Sequence, residues 1–271
     1  MSRFVEPASW TLPTPASASG CFETMRAYQG KIFRLEAHLD RLYASLNYLG
    51  IRMPLTPRQL AKRLVRALKA STLREAVVRI ALLPDATREA STSIVVQPAR
   101  PLPASWYQRG IRIAIVPTRK FSVSQIDPQA KFSARLGSVM AVMEAHLRKV
   151  DEAIFLDGMG SVTESTASNL GMITRGRLVS PPCWLGLLAG ITWQAVTDVA
   201  RARGMAVSES PLTRHDLYNA DEVLLSSTLK EVLAVTRVDG RVIGTGKPGP
   251  CTKRLHRGFR DLVRHELGLR W

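Results

Sequence analysis

The chain has 271 residues, 45% of them hydrophobic, which is enough for one large domain or two modest ones and excludes disordered and collagen-like classes. Its three cysteines, Cys21, Cys183 and Cys251, lie far apart with no CxxC pair, so neither a disulfide framework nor a metal site is expected, and a reduced, cytoplasmic setting fits. The formal net charge of +16 is spread over helix faces (Arg58, Lys62, Arg63, Arg66 and Lys69, for instance) without the interleaved aromatics of a nucleic-acid platform, so small molecules are the expected partners, not nucleic acid or a membrane.

The opening MSRFVEPASWTLPTPASASG reads as an irregular arm without the apolar run of a signal peptide. Strands follow at CFETMRAY and KIFRL around the Gln29-Gly30 turn. Leu35, Leu39, Leu42, Leu46 and Leu49 then recur at steps of four and three, the apolar face of a helix that Gly50 ends. Thr56-Pro57 opens a second helix, with Gln59 at capping-box spacing and Leu60, Leu64 and Leu68 as its buried stripe. Strands over 76–83 and 93–98 complete a first unit of residues 1–116 that also takes in a strand at 111–116. The breaker-rich stretch 117–129 reads as a linker.

A second unit spans 130–271. It opens with a helix over 138–150 whose Val139, Met143, Leu147 and Val150 share one face. Two hairpins follow, AIFLD-GMG-SVTES and NLGMI-TRG-RLVS, each with glycine in its turn. A helix over 191–203, strands at VLLSST and VLAVTRV, a tight turn at Asp239-Gly240 and a basic helix over 252–266 close the chain. Strands paired in hairpins point to an antiparallel α+β fold, not a doubly wound sheet.

Several residues suit chemistry. Lys131, in PQAKFSARLG, is set among small and aliphatic neighbours, where desolvation makes an amine nucleophilic. Glu164 leaves a hairpin strand into a small, hydroxyl-rich segment that allows close approach of a ligand. The helix entrance at Gly190-Ile191-Thr192 offers free N–H groups and a hydroxyl to a phosphate, and Ser226-Ser227-Thr228 offers further hydroxyls. Arg41, at the edge of an apolar stripe, is half-buried and wants an anion, whereas His38 on that stripe reads as packing. Taken singly, each also fits an ordinary role as surface lysine, turn carboxylate, helix cap or ion pair.

Their order changes the balance. GCFETMRAYQGKIFRLEAHLDRLYASLNYLGI, KFSARL, DEAIFLDGMGSVTESTASNL, GLLAGITWQAV and SSTLKEVLAVTRVDGRVIGTGKPGPCTKRL, over residues 20 to 258, resemble the class IV aminotransferases. This family includes branched-chain aminotransferase, D-amino-acid aminotransferase and aminodeoxychorismate lyase. The resemblance implies a two-domain α+β fold of pyridoxal-phosphate fold type IV, with pyridoxal 5'-phosphate between a small domain and a larger antiparallel-sheet domain. It implies that Lys131 bonds to the cofactor aldehyde and moves the proton. It further implies that Glu164 faces the pyridine nitrogen, and that Arg41, Ile191, Thr192, Ser227 and Thr228 hold the phosphate. Glu23, Arg79 and Leu229 match substrate-facing positions. Many members carry Asn and Tyr four and five residues after the lysine; here Arg135 and Leu136 stand there, as in the lyase branch. The implied activity is amino transfer between an amino acid and a 2-oxo acid by a homodimer. The alternative is a lyase releasing pyruvate and 4-aminobenzoate.

Overall fold

The computed structural model describes residues 20–85 and 87–269, so the N-terminal arm lies outside the described residues. The first sheet pairs β1 (Cys21–Tyr28), β2 (Lys31–Ile32), β3 (Ala76–Pro84) and β4 (Ala90–Pro98) antiparallel, in the order β2-β1-β3-β4. Gln29 and Gly30 both take positive φ, 48° and 79°, the mirror-image turn that matches strand twist in a two-residue hairpin.

Two helices, α1 (Leu35–Leu49) and α2 (Pro57–Ala70), cover one face of this sheet. Their leucine stripes meet Val78, Ile80 and Leu82 in one core. Gly50 ends α1 at φ 62°, and Thr56 and Gln59 form the reciprocal cap of α2, both as the sequence indicates.

After α3 (Ala104–Arg109), the second sheet opens with β5 (Ile111–Arg119). The helix α4 (Leu136–Leu147) precedes β6 (Glu152–Leu156), β7 (Val162–Ser165), β8 (Asn169–Thr174) and β9 (Arg177–Ser180). Then come α5 (Ile191–Ala202), β10 (Val207–Glu209), α6 (Arg214–Tyr218), β11 (Glu222–Ser227), β12 (Glu231–Val238), β13 (Arg241–Val242) and α7 (Pro250–Leu267). Nine strands join in the order β10-β9-β8-β11-β12-β5-β6-β7, with β13 on β12. One face packs on α5 and α7 through Val196, Val199 and Phe259. Among the described residues, no helix is long and apolar enough to cross a membrane.

Three details differ from the sequence expectation. The strand expected at 111–116 in the first unit belongs to the second sheet, where it lies parallel to β12 and to β6. Its core residues Ile111, Ile113 and Ile115 are buried in that sheet's core, so the boundary between the sheets falls before residue 111. The larger sheet is accordingly mixed: its hairpins are antiparallel, but β12–β5, β5–β6 and β9–β10 are parallel. Helix α4 presents only Ala141 and Ala145 to the core, while of the four residues expected to share one face Val139, Met143 and Leu147 are exposed and Val150, past the helix end, is partly buried. The small alanines let α4 lie close on β5 and β6, which turns the larger side chains outward.

The sheets are tied where the site forms. Phe22 N donates to the Lys131 carbonyl at 3.0 Å, and Ser133 N donates to the Gly20 carbonyl at 2.6 Å. The Lys131 N–H donates to Ser45 Oγ on α1 at 3.0 Å.

Candidate active site

Between the sheets lies a cavity of about 370 Å3, an ordinary size for a small-molecule site. Every site residue expected from the sequence lines it except Glu23.

Lys131 stands at the seam. Its Nζ lies 4.9 Å from the centre of the Phe22 ring. Burial, followed by the charge of Arg41, pulls its pKa down to about 8, with Arg135 acting the same way and Glu23 and Glu164 opposing. A lysine so desolvated carries a useful fraction of neutral, nucleophilic amine near neutral pH.

Glu164, on β7, is buried at 8% exposure with its carboxylate at the cavity wall. It pairs with Lys120 through Oε1. Its Oε2 accepts from Leu188 N at 3.2 Å and from Asn169 Nδ2 at 3.4 Å. Asn169 Nδ2 also donates to the Leu188 carbonyl at 2.8 Å, which fastens β8 to the segment entering α5.

That segment ends in an uncapped helix start. Gly190 is the N-cap of α5 with no side-chain cap, so the first-turn N–H groups at Ile191 and Thr192 are left for a ligand. A Cβ at position 190 would lie 1.8 Å from Asn169 Oδ1, so any other residue there displaces the Asn169 side chain from its place against Glu164 and Leu188. The β11 end brings Ser226, Ser227 and Thr228 to the same cavity, and the Ser226 hydroxyl is buried without a hydrogen-bond partner. Arg41 reaches in from α1, its Nη1 donating to the Ala189 carbonyl at 2.7 Å. Helix-start amides, an orphaned hydroxyl and a guanidinium form a donor set that fits a phosphate.

Glu23 lies behind this wall, at 0% exposure. Its two oxygens grip Arg41, from Nε at 2.7 Å and from Nη2 at 2.9 Å, and Oε2 also meets His38 Nδ1 at 2.8 Å. Burial pushes the Glu23 carboxyl up, but the hydrogen bonds from His38 and Arg41 and their charges outweigh it and hold the pKa at about 2. Burial lowers the His38 pKa, leaving a neutral ring whose Nδ1–H donates to the carboxylate. The substrate-facing place expected for Glu23 is therefore corrected: a saturated carboxylate behind the wall aims Arg41 and has no open side. His38, expected as packing, is buried and bonded to it.

Sequence reasoning missed several groups. Lys120 falls in the stretch read as a linker, yet it is the ion-pair partner of Glu164. Gln129, in the same stretch, donates through Nε2 to the Leu187 carbonyl at 2.6 Å and accepts from Ala189 N at 3.3 Å. Lys230 Nζ pairs with Glu152 at 2.7 Å under the Ser227–Leu229 turn. The basic Arg119-Lys120 pair beside a run of breakers was the one available signal.

Comparison with known proteins decides the lineage. The profile of "Amino-transferase class IV" matches residues 20–238. The chain belongs to the class IV aminotransferase family. A Methanocaldococcus jannaschii protein, whose name places it among branched-chain-amino-acid aminotransferases, is 36% identical over 93% of this chain and 89% of its own. D-alanine aminotransferase of Listeria monocytogenes is 30% identical, over 92% of this chain and 88% of its own. Among solved structures, the Escherichia coli branched-chain amino acid aminotransferase is 28% identical, with a TM-score of 0.89 over 96% of this chain and 91% of that one. A further branched-chain amino acid aminotransferase, solved with pyridoxamine 5'-phosphate, is also 28% identical, with a TM-score of 0.89 over 96% and 90%. This class IV aminotransferase has fold type IV, is a pyridoxal-phosphate-dependent aminotransferase, and has a donor set that fits the cofactor. These relatives are aminotransferases, which does not favour the lyase alternative.

Proposed function

We propose that this class IV aminotransferase moves an amino group between a branched-chain or D-amino acid and a 2-oxo acid, with Lys131 as its catalytic residue. The observation that carries this reading is the Lys131 amine, drawn down to about pKa 8, sharing one cavity with the Glu164 carboxylate and the uncapped start of α5.

Pyridoxal phosphate, when bound, supplies an aldehyde that joins amines and a ring that takes up carbanion charge. The residues do the rest. Arg41, Ile191, Thr192, Ser227 and Thr228 bind the phosphate by charge and N–H or hydroxyl donation. Glu164 would hold the proton at the pyridine nitrogen, its side chain kept in place by Lys120, Asn169 and Leu188 N. Lys131 Nζ, neutral in part near pH 8, would take the proton from the substrate α-carbon and give it back at the cofactor's aldehyde carbon, on the far side of the nitrogen between them. Arg79, exposed at the cavity mouth with its Cζ 5.0 Å from the Phe22 ring, and Leu229 face the substrate.

The reading includes a homodimer in the cytoplasm. In support, Leu136, Val139, Met140, Val142, Met143 and Leu147 of α4 are all exposed, a contiguous apolar face of the kind that marks an interaction surface. All three cysteines are free thiols.

An amino-donor screen tests the reading: leucine, D-alanine and glutamate at one matched oxo-acid acceptor, followed by the change from the pyridoxal to the pyridoxamine spectrum. Amino transfer from at least one donor supports it. Pyruvate release from aminodeoxychorismate without amino transfer would replace it with the lyase.

A further inference from the structure

Arg135 is the cavity's uncompensated charge. Its Nη2 donates to the Thr166 carbonyl and, at 3.4 Å, to the Ser138 hydroxyl, and both partners are neutral. No ion pair joins it to a carboxylate among the described residues. The other inward cations differ: Arg41 is paired with Glu23, Lys120 with Glu164 and Lys230 with Glu152, while Lys131, also without an ion pair among the described residues, has its pKa drawn down to about 8 and can shed its charge. Arg79 and Arg119 also lack carboxylates, but they are exposed and water neutralises them; Arg135 is only partly exposed. A partly buried guanidinium facing a cavity calls for an anion.

The position says which anion. In pyridoxal phosphate the aldehyde carbon and the ring nitrogen lie at opposite ends of the ring. The phosphate arm and the phenolic oxygen flank the aldehyde on opposite sides. Lys131 marks the aldehyde end, Glu164 the nitrogen end, and the α5 start with Arg41 and Thr228 the phosphate side. The phenolic oxygen then faces the remaining wall, close to the lysine. Arg135 belongs to that wall. It lies four residues after Lys131 and is hooked to the carbonyl two residues after Glu164. Its Cζ is 5.8 Å from the same Phe22 ring that carries Lys131 Nζ at 4.9 Å.

We propose that Arg135 binds the phenolate oxygen of the cofactor, making it a cofactor-contacting catalytic residue and not a substrate-carboxylate residue. This rests on the pyridoxal-phosphate reading above. A cation at the phenolate draws off the negative charge that would otherwise hold a proton on the nitrogen joining Lys131 to the cofactor. Arg135 therefore keeps that nitrogen less basic. The other charged groups around Lys131 and Arg135 are Arg41, Glu23, Arg79, Glu152 and Glu164, with neutral His38 behind Glu23. All are unchanged by substitution at position 135.

The test is a pH titration of the cofactor absorbance of the substrate-free holoenzyme, comparing wild type, Arg135→Leu and Arg135→Lys. The expected result is a midpoint raised by about one pH unit or more in Arg135→Leu, a ten-fold weaker acid, with at least half of that shift reversed in Arg135→Lys. An unchanged midpoint in Arg135→Leu overturns the proposal, and a rise confined to the KM of anionic substrates assigns Arg135 to the substrate instead. If Arg135→Leu does not fold, Arg135→Gln supplies the same readout by the same criterion. A wild-type band with no shift defeats this proposal alone; a wild type without cofactor absorbance defeats the reading it rests on.

Discussion

Two carboxylates near Lys131 sit in opposite surroundings. Glu23, in the first sheet, is wholly buried, and both its oxygens are taken by Arg41 and His38. Glu164, in the second, shares its charge with Lys120 and two amide donors, and it lines the cavity. The closed network has no room for a ligand, so its effect is positional: it fixes the direction of the Arg41 guanidinium. The open one leaves a face of the carboxylate for chemistry. The first sheet thus aims the proposed anchor, Arg41, while the second supplies the proposed reacting carboxylate beside Lys131, which lies on the seam.

The largest effect belongs to the seam. Lys131→Ala abolishes turnover and the absorbance of lysine-bound cofactor, read by steady-state assay and spectrum; retention of both would remove Lys131 from the mechanism. Next, Glu164→Gln keeps the shape of the open side and loses its charge. It lowers kcat on the order of 10²-fold with the cofactor still bound, since the ring nitrogen loses its proton-holding partner. A Glu164→Gln enzyme with wild-type kcat would erase the contrast between the two carboxylates.

Glu23→Gln probes the closed side. Breaking a buried charge pair costs about 3–5 kcal/mol, measured by urea unfolding, and a less well aimed Arg41 weakens cofactor affinity while the KM for amino acid stays put. The sign with pH is fixed: the Glu23 pKa is about 2 when folded against 4.5 ordinarily. It contributes stability above pH 4.5 that is lost as pH falls toward 2. The variant's acid-unfolding profile is flatter in that window; an identical profile would show that the network carries no such weight.

Smaller effects come from the rest of the molecule. Capture of pyridoxal phosphate by the apoprotein accelerates with rising pH through a midpoint near 8, not near the ordinary lysine value of 10.5, when followed by rapid-mixing absorbance. Met143→Glu on the exposed face of α4 shifts a dimer toward monomer in sedimentation at micromolar protein with little loss of fold; an unchanged sedimentation coefficient would clear that face of the assembly role.

Local order was legible in the sequence. The leucine stripes of α1 and α2, the Thr56–Gln59 cap and the glycine turns obey short-range rules, and all were read correctly. The residues gathered around the cavity, Glu23 apart, were legible through the motif order. What escaped is long-range pairing. The strand Ile111–Arg119 lies parallel to one more than a hundred residues away, and no local pattern announces that. The apolar stripe of α4 did not announce its exposure, since an exposed stripe reads the same in sequence as one facing the core. Glu23 lies beside the cavity in sequence register, and only the approach of Arg41 from α1 shows which way it faces.

Ser45 has one further consequence. Its hydroxyl donates to the Arg41 carbonyl at 2.9 Å and accepts from the Lys131 N–H at 3.0 Å, in a site 1% exposed. A single oxygen atom thus couples the backbone of Arg41 to that of Lys131, from outside the cavity. Alanine there would leave a buried amide without an acceptor, and threonine would press a methyl group into a filled space. For an engineer, position 45 is a tuning screw: under the proposed roles of Arg41 and Lys131, a change there would move both at once from outside the cavity lining.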